Sequence, residues 1–360
     1  MLIPWVAIGI AAFQPIRDNS FLWHLRAGDL QLGAGEVIRS DPFSFTSGGA
    51  PWRTQSWLIE LMYGWLDGRF ELRFVPAWIA GCALLTVGAT GIRMYRLGFN
   101  ATRISAGMIG LTWLGGMYFV PRPVVASFAL LALLILVTEM PGMRWSIPVL
   151  LWVWASSHGS FVLGIGYVAL YAVAQRDRRI VRPLTLASIV VSLTAHGWHA
   201  WEILWRFVSN RGALDFISEW AAPDPLSIGA LPFFAGIIAL IYQAIKGRVP
   251  VGDLWIIGPF LLFGLTSLRA LFPAMIVLVP WMVPAIRSRE RSNGSASPIV
   301  VLIAAGLILA LPFAAFRGPV EIDDQTFPVA ALDYLANGPA FHDDAVGGYL
   351  IYAGGPDHAH

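Results

Sequence analysis

Residues 72–93 read LRFVPAWIAGCALLTVGATGIR. An α-helix needs roughly 20 apolar residues to cross the hydrocarbon of a bilayer, and this stretch is that long. Cys82 lies inside it among alanine, glycine and leucine, so it reads as a small buried apolar side chain rather than a disulfide partner or metal ligand. The sequence around it has the same character. Hydrophobic residues make up 57% of the chain, charged residues 13%, and the mean hydropathy is +0.65. Ordinary soluble domains carry roughly a quarter charged residues. The expected fold class is therefore an all-α polytopic membrane protein, with room for about eleven transmembrane helices.

Further spans are expected near Ile104–Val120, Val124–Glu139, Ile147–Ser156, Phe161–Ala174, Leu184–Ala195, Ile228–Ile245, Leu254–Thr266, Ala270–Ile286 and Pro298–Phe316. The N-terminal run has the length of a signal-peptide core but lacks its basic flank, so a first helix from Met1 to about Ile16 is expected, tilted or in a locally thinned bilayer. If crossings alternate, Arg93, Arg96 and Arg103, then Arg144, then Arg176 to Arg182, then Lys246 and Arg248, then Arg287 to Arg291 all fall on one side. The positive-inside rule makes that side cytoplasmic. Only Glu139, Asp177, Asp253 and Glu290 accompany those cations. The N-terminus is then cytoplasmic and the C-terminus extracytoplasmic.

Polar segments around Asp18, Arg122, His158, His196, Glu219 and Arg269 map to the opposite face, which predicts a shared cavity there. The net charge of +2 gives no reason to expect nucleic acid as a partner. No repeat of solenoid period is visible, nor an inverted pair of interrupted helices.

The first external loop, 17–71, divides into three parts. Asn19 or Ser20 can cap a helix running to about Gly33, whose Phe21, Leu25, Gly28 and Leu32 form a stripe suited to a membrane surface. Asp41 and Pro42 begin a turn, and Phe43 to Thr46 alternate like a short strand. Thr54 to Leu66 reads as a second surface helix carrying Trp57 and Glu60. An acid at a membrane lip is a functional candidate, and Asp18 can take the proton from an attacking hydroxyl. The competing role is a capping or topology-setting acid.

Arg122, fixed between Pro121 and Pro123, suits a phosphate or a lipid headgroup, and Arg269 carries the same pair of readings. His158, in Ser156-Ser157-His158-Gly159-Ser160, can donate to a phosphate or a sugar hydroxyl. His196 and His199 have a helical spacing but no third ligand, so no metal is expected and no cofactor is indicated. Trp198, Trp201, Trp205 and Trp220 fit an interfacial belt or a sugar-stacking surface.

The chain divides into a transmembrane unit, 1–316, and an external segment, 317–360. In the latter, Thr326 caps a helix with Pro328 early, Ala331, Leu332 and Leu335 inward and Gly338 past its end, and Gly347 to Tyr352 reads as a strand. That is the start of a small α/β domain, whose continuation beyond His360 is expected on size grounds. His358 and His360 are not read as a ligand pair.

Trp23-His24-Leu25, Gly28, Asp41-Pro42-Phe43-Ser44-Phe45-Thr46 and Trp57-Leu58 before Glu60 resemble bacterial multi-pass proteins placed near the GT-C glycosyltransferases. Arg122-Pro123, Ser127-Phe128, Ser157-His158-Gly159-Ser160-Phe161, Glu219-Trp220 and Gly347-Gly348-Tyr349-Leu350 extend that resemblance along the chain. It implies a membrane glycosyltransferase moving a sugar from a polyprenyl-phosphate donor to an extracytoplasmic glycan, lipid or protein hydroxyl. It carries the role of base or acceptor-orienting acid onto Asp18. Arg122, Arg269 and His158 would neutralise the donor phosphate, and His24, Asp41 and Glu219 complete the candidate donor-binding set. Asn19 follows Asp18, so the adjacent acidic pair of protein O-mannosyltransferases is absent. A translocator of a lipid-linked saccharide and a non-catalytic envelope assembly protein are the alternative functions.

Overall fold

The computed structural model describes residues 15–202, 205, 209, 218–283, 320–334 and 342–354, and the regular elements among them are helices. Extended pairing there is confined to two isolated bridges, Ile16 with Ile322 and Ser40 with Pro51. The expected helices at Met1–Ile16 and Pro298–Phe316, the Leu335 and Gly338 positions, and His358 and His360 lie outside the described residues, apart from Pro15 and Ile16.

Helix α1 spans Asn19–Ala34, and its cap is Asp18 rather than Asn19 or Ser20. Asp18 has extended backbone, and its Oδ1 accepts the Phe21 amide at 3.0 Å. The expected membrane-facing stripe turns out to face protein. Phe21, Leu25 and Gly28 are buried against α2, Trp57–Phe70, while Leu32 stays 43% exposed. The contact is backbone to backbone: a Cβ on Gly28 would stand 1.9 Å from the Glu60 carbonyl oxygen, and one on Gly64 would stand 2.7 Å from the Gly28 carbonyl carbon. Two glycines thus let the helices touch, and the expected surface helix carries a fully buried Glu60.

Between them, Phe43 to Thr46 form no strand. Asp41 Oδ1 accepts the amides of Phe43 at 2.8 Å and Ser44 at 3.1 Å, closing a turn that removes those donors from any ladder. Phe43 is buried, with its ring edge-on to Trp52.

A 3-10 turn, Glu71–Arg73, leads from α2 into α3, Phe74–Arg96. The continuous stretch Trp57–Arg96 is long and apolar enough to cross a bilayer by length and composition, and it is the one described stretch that is. Among the described residues up to Met282, eight shorter helices follow: α4 Ala101–Gly115, α5 Val124–Thr138, α6 Ile147–Ser157, α7 Phe161–Ala174, α8 Val181–Val191, α9 Leu231–Ile245, α10 Leu254–Thr266 and α11 Leu268–Met282. They have 11 to 15 residues. At 1.5 Å per residue that is about 16–22 Å, short of the ~30 Å hydrocarbon thickness. The all-helical character of the expected fold is therefore present among the described residues, and one described stretch has the length and composition of a span.

Beyond Arg269 in its first turn, helix α11 is apolar and buried along nearly its whole length, packed by α10, α9, α4 and α5. α5 in turn packs on α3, α6 and α7. The outward faces are also apolar: Leu85 and Ile92 on α3, Ile109 and Trp113 on α4, Ile238, Ile241 and Ile245 on α9, and Trp255 and Leu262 on α10 are exposed. Between Val124 and Thr138, Phe161 and Ala174, Leu231 and Ile245, and Leu254 and Thr266 there is no charged side chain. Charges gather at the helix ends.

The tail departs furthest from its sequence reading. Val329–Tyr334 is a 3-10 turn, and Gly347 to Tyr352 belong to helix α12, Asp344–Gly354, instead of a strand. Asp343 Oδ1 accepts the Ala345 amide at 2.8 Å, which starts the helix. Gly348 then seats it on α1, since a Cβ there would stand 2.0 Å from the Asn19 carbonyl oxygen, and the Tyr349 amide donates to Asn19 Oδ1 at 3.1 Å. Ile322 bridges Ile16, Arg17 Nε donates to Asp323 at 2.6 Å, and Phe327 stacks on Tyr349. The described tail residues contain no strand of an α/β domain.

Candidate functional site

At one end of the bundle four ionised side chains alternate in sign. Arg122, in the turn before α5, donates from Nε to Asp18 Oδ2 at 2.5 Å and from Nη1 to Glu219 Oε1 at 2.5 Å. Arg269, in the first turn of α11, donates from Nε to the other oxygen of Glu219 and lies over the Trp220 ring at 5.1 Å. Local backbone holds each member. Arg122 is framed by Pro121 and Pro123, and Tyr63 on α2 donates to the Pro121 carbonyl at 2.9 Å. Glu219 sits in a 3-10 turn tied to α11 by the Leu268 amide donating to Ala221.

Burial opposes charge on Arg122, yet the Asp18 and Glu219 carboxylates outweigh it and raise its pKa. Burial likewise works against the Glu219 carboxylate, and the two arginines overcome that and lower its pKa. The exposures grade along the chain: side chains are 8% exposed for Asp18, 30% for Arg122, 36% for Glu219 and 47% for Arg269. Asp18 is the buried anchor and the arginine–glutamate–arginine face is the accessible part. Asp18 has both oxygens engaged, one on the α1 cap and one on Arg122, so its geometry is that of a positioning carboxylate.

His158 lies between α6 and α7 with extended backbone. Its Nδ1 accepts the Ser160 amide at 3.1 Å and contacts Ser160 Oγ at 2.8 Å, while Trp154 donates to that same Oγ at 3.2 Å. Nδ1 is therefore an acceptor, which leaves the ring proton on Nε2. Burial first, and the nearby charges of His24 and Arg269 second, push its pKa down to about 3. His158 thus sits within electrostatic reach of both Arg269 and His24.

His24 heads a second cluster between α1 and α2. Its Nδ1 is 2.8 Å from Glu60 Oε1, Gln31 Nε2 donates to Glu60 Oε2 at 2.8 Å, and Thr54 Oγ1 donates to Oε1. His24, Gly28 and Gln31 share one face of α1, so the glycine that admits the α2 backbone also puts Glu60 between the two polar side chains. Trp23 stacks on the His24 ring at 3.5 Å.

The structure therefore brings together Asp18, Arg122, Glu219, Arg269, His158 and His24 from segments far apart in sequence. Asp41 serves its turn. His196 Nε2 donates to the Thr54 carbonyl at 2.6 Å and burial lowers its pKa. His199 lies by Glu202, which Arg53 binds at 2.7 Å, so the two histidines serve different partners. No group of three or more His, Cys, Asp or Glu suited to a metal occurs among the described residues. Glu60, Gln31 and Thr54 were missed as site residues. The available signal was Gly28 in the α1 stripe, which marks a backbone contact able to bury the residue opposite.

The other end carries a separate polar set. Arg93 pairs with Glu139 at 2.9 Å and donates to the Val277 carbonyl at 2.7 Å, Tyr167 donates to Glu139 at 2.8 Å, and Arg144 pairs with Asp177 at 2.6 Å. These pairs involve the connections that carry Arg93, Arg144 and Asp177, and none of them includes Asp18, Arg122, Glu219 or Arg269.

No protein-family model, curated protein or solved structure matches this chain.

Proposed function

We propose that the chain is a polytopic membrane protein that binds the phosphate of a polyprenyl-linked sugar at the Arg122–Glu219–Arg269 face and transfers the sugar to an extracytoplasmic hydroxyl. The observation that carries the reading is the pair of arginines joined by one carboxylate, with Asp18 fixed behind Arg122. Arginine binds phosphate bidentately, and an incoming phosphate can take the place of Glu219 between the two guanidiniums. The same cations stabilise the charge that develops as the sugar–phosphate bond breaks.

Membrane residence draws support from the exposed apolar side chains on α3, α4, α9 and α10, since apolar faces left open to solvent mark membrane or protein contact. Helices of 11 to 15 residues can be matched by local thinning of the bilayer. The Trp57–Arg96 stretch supplies the one long crossing among the described residues.

The test is release of polyprenyl phosphate from polyprenyl-phosphate sugars by the full chain in proteoliposomes. Wild type turns over, while Arg122→Ala and Arg269→Ala raise donor KM at least tenfold. Donor movement across the vesicle without glycosidic product would assign the site to translocation instead.

A further inference from the structure

We propose that His24, oriented by the buried Glu60 carboxylate, is the group that takes the proton from the acceptor hydroxyl; this deepens the transferase reading and rests on it. Asp18 is the obvious acid of the first loop, but its two oxygens hold a helix cap and Arg122. His24 has a different arrangement. Nδ1 faces Glu60 at 2.8 Å, and Nε2 has no partner among the described residues. A histidine that donates Nδ1–H to a carboxylate carries its lone pair on Nε2, the tautomer a general base requires.

The support for that orientation is built in depth. Glu60 is fully buried, and its other contacts come from neutral donors, Gln31 Nε2 and Thr54 Oγ1. Two polar anchors fix the carboxylate, and the Trp23 ring limits rotation of the imidazole. An ordinary core histidine has both ring nitrogens satisfied; His24 has one satisfied and a side chain 11% exposed. His158 lies within electrostatic reach of both His24 and Arg269, which links the His24 pair to the arginine cluster.

The step balances as follows. The acceptor oxygen forms a bond to the anomeric carbon and gives its proton to His24 Nε2. The bond from that carbon to the phosphate oxygen breaks, and polyprenyl phosphate leaves with the electron pair, held by Arg122 and Arg269. The resulting imidazolium, stabilised by Glu60, then loses its proton to water.

The experiment uses the full chain in proteoliposomes with polyprenyl-phosphate glucose, mannose and arabinose and with glycerol as the acceptor hydroxyl, reading released polyprenyl phosphate. His24→Ala should lower turnover about 10²- to 10⁴-fold, the usual worth of a general base, and added imidazole should restore at least tenfold of it. Arg122→Ala should gain nothing from imidazole. Glu60→Gln should lower kcat with donor KM unchanged, the mark of a positioning residue. Turnover of His24→Ala within threefold of wild type, or a loss that imidazole does not relieve, overturns the assignment while leaving the transferase reading intact. Should His24→Ala fail to fold, nitrogen-15 spectra of wild-type His24 decide, since a proton on Nε2 rather than Nδ1 also overturns it. Wild-type protein that releases nothing from any of the three donors removes the transferase reading and this assignment together.

Discussion

Arg122 Nε donates to Asp18 Oδ2 at 2.5 Å, joining the start of α1 to the turn before α5 across 104 positions of sequence. The same carboxylate caps α1 through its other oxygen. Substitutions at position 18 can therefore separate the two jobs. Asparagine caps about as well as aspartate, so Asp18→Asn keeps the α1 cap and loses only the charge-assisted bond to Arg122. It should raise donor KM about ten- to a hundredfold, because a hydrogen bond to a charged group contributes about 1.5–3 kcal/mol. Asp18→Ala should lose about 1 kcal/mol of stability besides. Unfolding midpoints and donor titrations on both variants check this.

Gly28 and Gly33 occupy one helix in opposite circumstances. A Cβ on Gly28 collides with the Glu60 carbonyl, whereas Gly33 has nothing within 4 Å. Gly28→Ala should destabilise by about 1–3 kcal/mol or more through overpacking. Gly33→Ala should be neutral or stabilise by up to about 1 kcal/mol from helix propensity. Denaturant midpoints of the two variants should move in opposite directions.

The Arg93–Glu139 pair is nearly fully buried on the arginine side, with 2% of that side chain exposed. Removing one partner leaves an uncompensated buried charge, so Glu139→Ala should cost about 3–5 kcal/mol. The double variant Arg93→Met with Glu139→Leu should recover most of the loss. A double-mutant cycle measured by unfolding is the check.

Burial pushes the pKa of folded His158 down to about 3, from the ordinary histidine value of about 6.5 in the unfolded chain. The unfolded state therefore binds the extra proton between those values, and the group's contribution to stability falls as pH drops from 6.5 toward 3. His158→Gln, which cannot charge, should flatten the dependence of stability on pH across that window. Nitrogen-15 spectra at pH 5 should show a neutral ring with its proton on Nε2.

The bundle's two polar ends should lie on opposite sides of a bilayer. In a Cys82→Ala background, an impermeant thiol reagent should label Ala221→Cys from one face of sealed vesicles and Arg178→Cys from the other; both positions are exposed. Labelling of both from the same face would overturn the proposed membrane arrangement.

The apolar runs from Phe74 to Met282 were legible because helix formation there needs only length, composition and a turn at each end. Val124–Thr138 and Phe161–Ala174 are helices close to where the sequence puts them. Local signals were weaker where glycine or aspartate has two uses. Gly347 and Gly348 read as a strand flanked by turn residues, but Gly348 is small in order to admit the Asn19 backbone, a partner more than 300 positions away. Phe43 to Thr46 alternate like a strand, but the Asp41 side chain takes their amides first.

Residue type and order by themselves determined that this chain is built from apolar helices, and that Asp18, Arg122, His158, Glu219 and Arg269 fall at one set of helix ends. If successive helices alternate in direction, those ends meet without any knowledge of packing. Only tertiary structure decided which side chains touch. Burial of Glu60 depends on two glycines meeting across α1 and α2, and the commitment of Asp18 depends on a guanidinium arriving from the far side of the bundle. A carboxylate's role is set by the charge and solvent around it, and neither is a local property of sequence.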